Sequence, residues 1–298
     1  MKLLDDLQRY PITALLCIGA IAAFIAGETG RSLEHLMLLP GTEFTEPWRF
    51  ITAVFPHGGL IHVGFNVYWI WVLGRPLEER LGTLWTLGLV VLASFVGAGL
   101  EVAMLHNAIG LSGVVYAFAA FLYTRGRRDP RYAGIVPDDL VRFFVVWFFL
   151  CIVLTQLGVL RIANAAHFGG AAVGFALGRP VRWLAPVLVV VTGLAILFLQ
   201  PRIPGWTGNN RGLQVQAFQA LDRGDEAAAI GLYERAIEAG DIRSGSWKNY
   251  GIALNSVGRL NDALEAWERA HAMDPQTFEP AVWADIQRML DERRAAPR

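Results

Sequence analysis

The stretch Gly110-Leu-Ser-Gly-Val-Val-Tyr116 begins one apolar run of the chain, and His167-Phe-Gly-Gly-Ala-Ala-Val-Gly174 lies just inside another. Polar side chains are costly in lipid, so those found there usually do chemistry or pair with each other. Ser112 and His167 are a nucleophile and a base of the kind that cleaves amide bonds. With His62 and Asn66 on a third apolar segment, they predict the active site of a protease inside the membrane.

The composition combines a membrane domain with a soluble one. Hydrophobic residues make up 54% of the 298 residues and charged residues 17%, and the mean hydropathy is +0.39. Nearly all long apolar runs precede residue 209, and the rest is typical of a soluble helical domain. The zero net charge argues against a nucleic-acid partner. Cys17 and Cys151 lie in apolar runs and are more typical of small core residues than of a disulfide.

Seven apolar segments are visible, at about 12–26, 60–77, 83–105, 111–124, 140–159, 162–178 and 183–199. A membrane-spanning helix needs about 20 residues, and fewer where protein surrounds it. The short fourth segment is therefore expected to be central in the bundle. The first segment has the length of a signal-peptide core, but the Glu28-Thr-Gly-Arg31 that follows lacks a cleavage site, which favours an uncleaved helix.

The distribution of basic residues orients these segments. The N-terminus and the loops after segments 2, 4 and 6 carry eleven Lys and Arg, whereas the opposite loops and the region after segment 7 carry five. This asymmetry predicts a cytoplasmic N-terminus and, after seven spans, an extracytoplasmic C-terminal domain. His62, Ser112 and His167 then lie within about 8 Å of the outer ends of their helices, at roughly 1.5 Å per residue. Their common depth indicates one site.

Each of these residues fits a part in peptide hydrolysis. Ser112 stands at a helix start, where free N–H groups and the helix dipole favour a developing negative charge. His167 would take the serine proton and return it to the leaving amine. No acidic residue occurs in segments 4 and 6, so we expect a Ser–His dyad. His62 and Asn66 share a helix face and can both stabilise the oxyanion. This chemistry implies no metal ion and no cofactor.

Small residues are expected to bring the fourth and sixth segments close together. They recur at four-residue spacing as Gly113 and Ala117 on one segment and as Gly170 and Gly174 on the other. Such faces let helix backbones approach closely in lipid. Tyr116 lies one turn from Ser112 and is expected to stack on the ring of His167.

Together these motifs resemble the rhomboid family of intramembrane serine proteases. The matching stretches are Trp48-Arg49, His57-Gly-Gly-Leu-Ile-His62-Val-Gly-Phe-Asn66, Gly74-Arg-Pro-Leu-Glu78-Glu-Arg80-Leu-Gly82, Gly110 to Tyr116, and His167 to Gly174. The resemblance implies that Ser112 is the nucleophile and His167 the base, that His62 and Asn66 line the oxyanion site, and that the neighbouring Gly110, Gly113, Gly170, Gly174 and Tyr116 support them. It also implies a six-helix core plus one C-terminal span, and substrates that are single-pass or membrane-anchored proteins.

Simpler interpretations apply to other residues. A lone buried serine usually bonds to its own helix, and only the combination of motifs favours catalysis. Five residues of the motifs are more typical of bracing loops and helix ends than of chemistry: Trp48, Arg49, His57, Glu78 and Arg80. On the fifth segment, Trp147, Phe148 and Phe149 are interpreted first as lipid-facing bulk, although the resemblance implies a side entrance for substrate there.

An internal repeat marks the C-terminal domain. Gly224 and Gly258 are 34 residues apart, and so are Tyr233-Glu-Arg-Ala236 and Trp267-Glu-Arg-Ala270. This period is typical of tetratricopeptide repeats, with Pro275 at the end of the second repeat and a capping helix at about 281–294. Such repeats bind a peptide or adaptor, or act only as a rigid spacer.

The sequence therefore predicts an all-α protein with a seven-span membrane domain at 1–200, a linker at 201–211 and a soluble helical-repeat domain at 212–298. The lipid bilayer of a bacterial inner or plasma membrane is the expected location. A transporter is disfavoured because the polar residues cluster at one face instead of lining a path. A non-catalytic scaffold, or a chaperone-like relative acting through the repeats, stays open as the alternative.

Overall fold

The computed structural model describes residues 2–39, 42, 46–104, 106–160, 162–179, 183–199, 210–240 and 242–295. Over these ranges the secondary structure is helical, and no strand is present apart from one isolated bridge between Leu38 and Ala108. The predicted all-α class is confirmed. The chain divides into two compact units, Met1–Gln200 and Pro201–Arg298.

The first unit contains nine α-helices within its described residues. They are α1 (Lys2–Arg9), α2 (Pro11–Glu28), α3 (Arg49–Thr52), α4 (Leu60–Leu81), α5 (Thr83–Ala103), α6 (Ser112–Gly126), α7 (Asp138–Gln156), α8 (Asn164–Gly178) and α9 (Leu184–Leu199). Helix α2 and helices α4 to α9 coincide with the seven apolar segments. Two of them, α2 and α5, are long and apolar enough to cross a membrane by length and composition alone, and Leu184–Leu197 of α9 is apolar but shorter.

Helix α6 lies at the centre of this unit. It packs against α4, α5, α7 and α8, and its residues Ala117, Phe118 and Leu122 are fully buried. A helix of 15 residues is short for a span, and neighbouring protein on all sides is the setting in which such a length is tolerated. The surrounding helices therefore determine where α6, and with it Ser112, lies in the bundle.

Polar side chains form hydrogen bonds that hold the ends of helices in place. The carboxylate of Glu78, only 3% exposed, accepts hydrogen bonds from the backbone N–H groups of Ile12 and Thr13 at 3.0 and 2.9 Å and from the Thr13 hydroxyl at 2.8 Å. It thereby satisfies N–H groups in the first turn of α2 that have no partner within that helix. Arg80 donates to the carbonyl of Arg131 at 2.6 Å. These contacts agree with a bracing role for both residues.

The loop before α4 has its own anchor. Arg49, buried, donates to the carbonyl oxygens of Glu34 at 2.5 Å and Met37 at 2.9 Å and pairs with Glu46. Trp48, by contrast, is 54% exposed, so the bracing role expected for it is not seen.

The second unit is built from five helices within its described residues. They are α10 (Asn210–Asp222), α11 (Glu226–Glu238), α12 (Ser244–Ser256), α13 (Leu260–Met273) and α14 (Pro280–Ala295). Helices α10 and α11 form one hairpin and α12 and α13 another, and Ala229 and Ala263 are fully buried at equivalent positions. Residues 201–209 of the expected linker lie outside the described residues. Since α10 begins at Asn210, the helical part starts two residues earlier than expected.

Candidate active site

Ser112 and His167 meet at the N-terminal ends of α6 and α8. Ser112 is the first residue of α6 and His167 the fourth residue of α8. The distance between Ser112 Oγ and His167 Nε2 is 2.8 Å, which is the length of a normal hydrogen bond. His167 is only 4% exposed, so this contact is largely shielded from solvent.

The ring of His167 is oriented by stacking. It lies on the ring of Tyr116 with centroids 4.7 Å apart and an angle of 26° between the planes, and the Tyr116 hydroxyl donates to the carbonyl of Phe144 at 3.2 Å. His167 Nδ1 has no hydrogen-bond partner among the described residues. With the proton on Nδ1, Nε2 can accept the serine O–H. Among the described residues, no carboxylate is hydrogen-bonded to His167.

The close approach of α6 and α8 depends on glycine. A Cβ atom built on Gly170 would overlap the carbonyl oxygen of Gly113, and one built on Gly174 would overlap that of Ala117. These are the four small residues that the sequence placed on facing segments. Without this contact of backbones, the side chain of Ser112 would not reach the ring of His167.

His62 and Asn66 converge beside Gly110, two residues before the serine. A Cβ atom on Gly110 would lie 3.0 Å from His62 Nε2 and 3.5 Å from Asn66 Nδ2, and Gly110 also has φ of +92°, so a side chain there is strained as well as crowded. His62 Nδ1 accepts from the Gly58 N–H at 3.3 Å, which leaves the proton on Nε2 when the ring is neutral. Asn66 Nδ2 is buried without a partner among the described residues. Both nitrogens are therefore free donors.

The start of α6 adds backbone donors to this pair. Its N-cap residue is Leu111, and no side chain caps the helix. The N–H groups of a first turn lack partners within the helix and carry the positive end of its dipole. A negative charge near Ser112 Oγ would meet these groups together with the side chains of His62 and Asn66.

His57 shapes the loop in front of the site. Its Nδ1 donates to the Phe55 carbonyl at 2.8 Å, and its Nε2 accepts from the Leu111 N–H at 3.4 Å. Burial, followed by the proximity of His62, lowers the pKa of His57 to about 4. The ring is therefore neutral at neutral pH, as an acceptor at Nε2 requires, and it holds the segment that enters α6.

Glu101 is a residue of the site that the sequence analysis missed. It is only 3% exposed near the end of α5. One carboxylate oxygen accepts from the N–H groups of Ala165 and Ala166 at 2.9 and 3.2 Å, and the other contacts His106 Nδ1 at 3.0 Å. Glu101 thus caps the first turn of α8, immediately before His167. The available signal was a single carboxylate inside an apolar segment, a feature that usually marks function.

The aromatic residues of α7 also depart from the expectation. The Trp147 ring lies 5.4 Å from that of Phe65 on α4, and the Phe148 ring lies 6.1 Å from that of Tyr116. Both side chains are half-buried and pack towards neighbouring helices, so they are less exposed than the expected lipid-facing bulk, whereas Phe149 is 61% exposed. Helix α7 nonetheless contributes only Phe144 and Cys151 as fully buried residues.

Comparison with known proteins finds similarity to the rhomboid family in this part of the chain. Residues 45–184 match the family described as "Rhomboid domain". The chain is 38% identical over 172 residues to the "Rhomboid protease GlpG" of Yersinia pseudotuberculosis serotype I, covering 56% of this chain and 61% of the relative. The protein of the same name from Serratia proteamaculans is 36% identical over 137 residues, covering 45% of this chain and 48% of the relative. These matches support the rhomboid family.

The matches cover a defined part of each protein. The chain spans about three fifths of the length of the Yersinia relatives, 61%, and the rhomboid-domain match ends at residue 184, before the second compact unit begins. The matches support a membrane location for the first unit.

Proposed function

We propose that this protein is an intramembrane serine endopeptidase that cleaves membrane-anchored proteins near the outer face of the membrane. The observation that carries the proposal is the 2.8 Å contact between Ser112 Oγ and His167 Nε2. This contact lies inside a helical bundle, near the side-chain donors of His62 and Asn66. The names of the Yersinia and Serratia relatives, which are rhomboid proteases, support it.

The reaction uses the residues in two steps. His167 Nε2 removes the proton of Ser112 as Oγ attacks the substrate carbonyl, and the same nitrogen then gives that proton to the leaving amine. A water molecule, activated by His167, hydrolyses the resulting ester and regenerates the serine. Because no carboxylate assists His167, the stack on Tyr116 and the capped start of α8 provide its orientation.

Oxyanion stabilisation is shared among several donors. His62 Nε2, Asn66 Nδ2 and the first-turn N–H groups of α6 surround the place where the carbonyl oxygen of the substrate would carry negative charge. An oxyanion donor is typically worth about 3–4 kcal/mol of transition-state stabilisation. With several donors at hand, loss of His62 or Asn66 alone should leave measurable activity. No metal ion or cofactor is required by this mechanism.

Substrates would be single-pass or otherwise membrane-anchored proteins that enter from the side. Helix α7 is the least buried of the helices around the site, and the contact of Trp147 with Phe65 closes the gap between α7 and α4. Outward movement of α7 would open a lateral path to Ser112. By likeness to rhomboid proteases, the cleaved segment would be helix-breaking with small residues at the cut.

The proposed topology is a six-helix core of α2 and α4 to α8, followed by α9 as an added span. The N-terminus would be cytoplasmic and residues 212–298 extracytoplasmic, in a bacterial inner or plasma membrane. In that second unit we propose two tetratricopeptide-like repeats, formed by α10 with α11 and α12 with α13 and capped by α14. They would recruit a substrate or an adaptor to the protease.

The test is chemical labelling of the nucleophile. A serine-reactive fluorophosphonate should modify purified wild-type protein at Ser112 and leave Ser112→Ala unmodified, as measured by peptide mass spectrometry. Ser112→Ala and His167→Ala should each abolish cleavage of a reporter transmembrane substrate, and the double variant should be no worse, because residues acting as a unit are not additive. Full activity in Ser112→Ala would overturn the mechanism. A folded protein with neither labelling nor cleavage would favour the non-catalytic scaffold.

A further inference from the structure

An apolar groove of about 570 Å³ lies between α6, α7 and α8, apart from the serine and histidine. Aromatic and small side chains line it, including Ala120, Phe144, Phe148, Phe168 and Phe175. Ser112, His62 and Asn66 are not among its lining residues. The volume falls within the usual range of about 300–1,000 Å³ for sites that hold a small ligand.

One end of the groove is cationic. Arg127, Arg128 and Arg179 line it there, at the C-terminal ends of α6 and α8. Arg127 pairs with Asp138 at 2.9 Å, and the guanidinium of Arg179 lies 4.2 Å from the centroid of the Phe175 ring. The side chain of Arg128 is exposed and makes no hydrogen bond or ion pair with any described residue. Among the described residues, Arg128 and Arg179 therefore have no anionic side-chain partner at this end.

The dimensions of the groove match one leaflet of a bilayer. Its lining runs along α6 from Tyr116 to Arg128, which at about 1.5 Å per residue corresponds to roughly 18 Å. Half of a hydrocarbon core of about 30 Å is roughly 15 Å. A chain of that length would reach from the midplane to the surface at which the arginines lie.

We propose that this groove binds an anionic glycerophospholipid, with one acyl chain along the apolar lining and the phosphate at Arg128 and Arg179. Basic pockets between membrane helices on the cytoplasmic side are suited to anionic lipid headgroups. The proposal rests on the membrane orientation proposed above, because that orientation puts the C-terminal ends of α6 and α8 at the cytoplasmic surface. It does not depend on the proteolytic reaction.

A ligand of this groove has to suit both its apolar lining and its cationic end. A free phosphate ion would leave the apolar lining unoccupied. A lipid uses both halves of the site, since its chain needs the apolar walls and its phosphate needs the arginines.

Native mass spectrometry of the full-length protein would test the proposal. The protein in a neutral detergent receives dioleoyl phosphatidylglycerol and dioleoyl phosphatidylcholine in equal amounts, and the lipid-bound species are counted. We expect the phosphatidylglycerol adduct to dominate. Arg128→Gln and Arg179→Gln should each reduce that preference by about fivefold, since each arginine near a headgroup contributes a comparable factor.

Two matched variants separate a built site from general attraction. Arg142→Gln removes an exposed arginine that pairs with Asp139 and does not line the groove, so it should leave the preference unchanged. Ala120→Phe fills the apolar lining without changing charge and should reduce binding of both lipids. Ser112→Ala should bind lipid as the wild type does, which keeps this result independent of catalysis.

Three outcomes would overturn the proposal. They are equal binding of the two lipids by the wild type, an effect of Arg142→Gln as large as that of Arg179→Gln, and full lipid binding by folded Ala120→Phe protein. Gel filtration and thermal unfolding of each variant show whether it is folded. Exchange of the phosphatidylglycerol adduct for inorganic phosphate would identify a phosphate site in place of a lipid site.

Discussion

At the scale of single residues, the position of His167 is determined by a residue far away in sequence. Glu101 lies near the end of α5, yet its carboxylate accepts hydrogen bonds from two N–H groups at the start of α8, 64 and 65 residues later. A cap of this kind satisfies donors that would otherwise be buried without partners. The helix that carries His167 is thereby held at one end by Glu101 and along its length by contact with α6.

We predict that Glu101→Ala lowers kcat for a reporter substrate by about fivefold, because loss of a helix cap typically costs about 1 kcal/mol, and here that loss would be felt as misplacement of His167. KM should change little, since Glu101 does not face the substrate. Glu101→Gln should recover much of the rate because an amide oxygen can still accept both N–H groups. Steady-state kinetics of the three proteins give the measurement.

His106→Gln is the matched control for Glu101. It removes the contact of His106 with the other carboxylate oxygen and leaves the cap in place, so its kcat should stay near that of the wild type. A rise in KM with unchanged kcat in Glu101→Ala would instead assign Glu101 to substrate binding. Equal losses in Glu101→Gln and Glu101→Ala would show that the charge matters and the cap does not.

At this scale, the sequence predicts the position of a residue only where that position follows from a short-range pattern. Ser112, His167, His62 and Asn66 could be assembled because each lies near the end of its own apolar segment, where depth follows from counting residues. Glu101 could not, because its partners are backbone groups of another helix, and only packing brings them together. The same holds for Glu78, whose place on a helix end was visible but whose contact with Thr13 was not.

At the scale of helices, small residues predicted the contact of α6 with α8. A spacing of four residues places glycines on one face of a helix, and this spacing can be seen directly in the sequence. The direction of Trp147 and Phe148 was not readable, because α7 is apolar on all sides, and periodicity then gives no inward face. The groove between α6, α7 and α8 likewise arises only when three helices are placed together.

We predict that Gly170→Ala destabilises the protein and slows cleavage. The added methyl would overlap the Gly113 carbonyl, and overpacking in a well-packed core typically costs about 1–3 kcal/mol. Because the same shift moves α8 away from α6, the distance from Ser112 Oγ to His167 Nε2 should lengthen. Thermal unfolding in detergent and the rate of reporter cleavage are the two readouts.

Gly88→Ala on α5 is the control for this substitution. A Cβ atom on Gly88 meets no atom within 4 Å, and alanine is the better helix former, so stability should be unchanged or slightly higher. If Gly170→Ala matches Gly88→Ala in both stability and rate, close contact of α6 and α8 is not needed for the reaction.

At the scale of the whole molecule, the sequence separated an apolar N-terminal part from a helical C-terminal part because composition changes abruptly near residue 209. The boundary between the two compact units falls between Gln200 and Pro201. How many helices cross the membrane is a different matter. Among the helices of the described residues, only α2 and α5 have the length and composition of a span by themselves, so the others would depend on burial against neighbours.

We predict that reporters fused in the loop near Arg127 are active in the cytoplasm and that reporters fused at the C-terminus are active outside. The excess of basic residues in the loops after α4, α6 and α8 underlies the first expectation. The second depends on α9 spanning the membrane. A phosphatase reporter, active only outside, and a fluorescent one, active only inside, give complementary signals. If the C-terminal fusion is active only in the cytoplasm, α9 does not cross the membrane.

The final prediction concerns the second unit, which should be dispensable for chemistry but should select substrates. All proposed catalytic groups belong to α4, α6 and α8, so a chain stopped after Arg202 should cleave a generic reporter at the full rate. Cleavage of a natural substrate should fall at least tenfold, because tethering raises its local concentration to about the millimolar range. Paired cleavage assays of full-length and shortened protein, with fluorophosphonate labelling of Ser112 as the check on folding, make the comparison. If both substrates are cut at full rate, recruitment is excluded, and if a labelled, folded protein cuts neither, the second unit supports the protease itself.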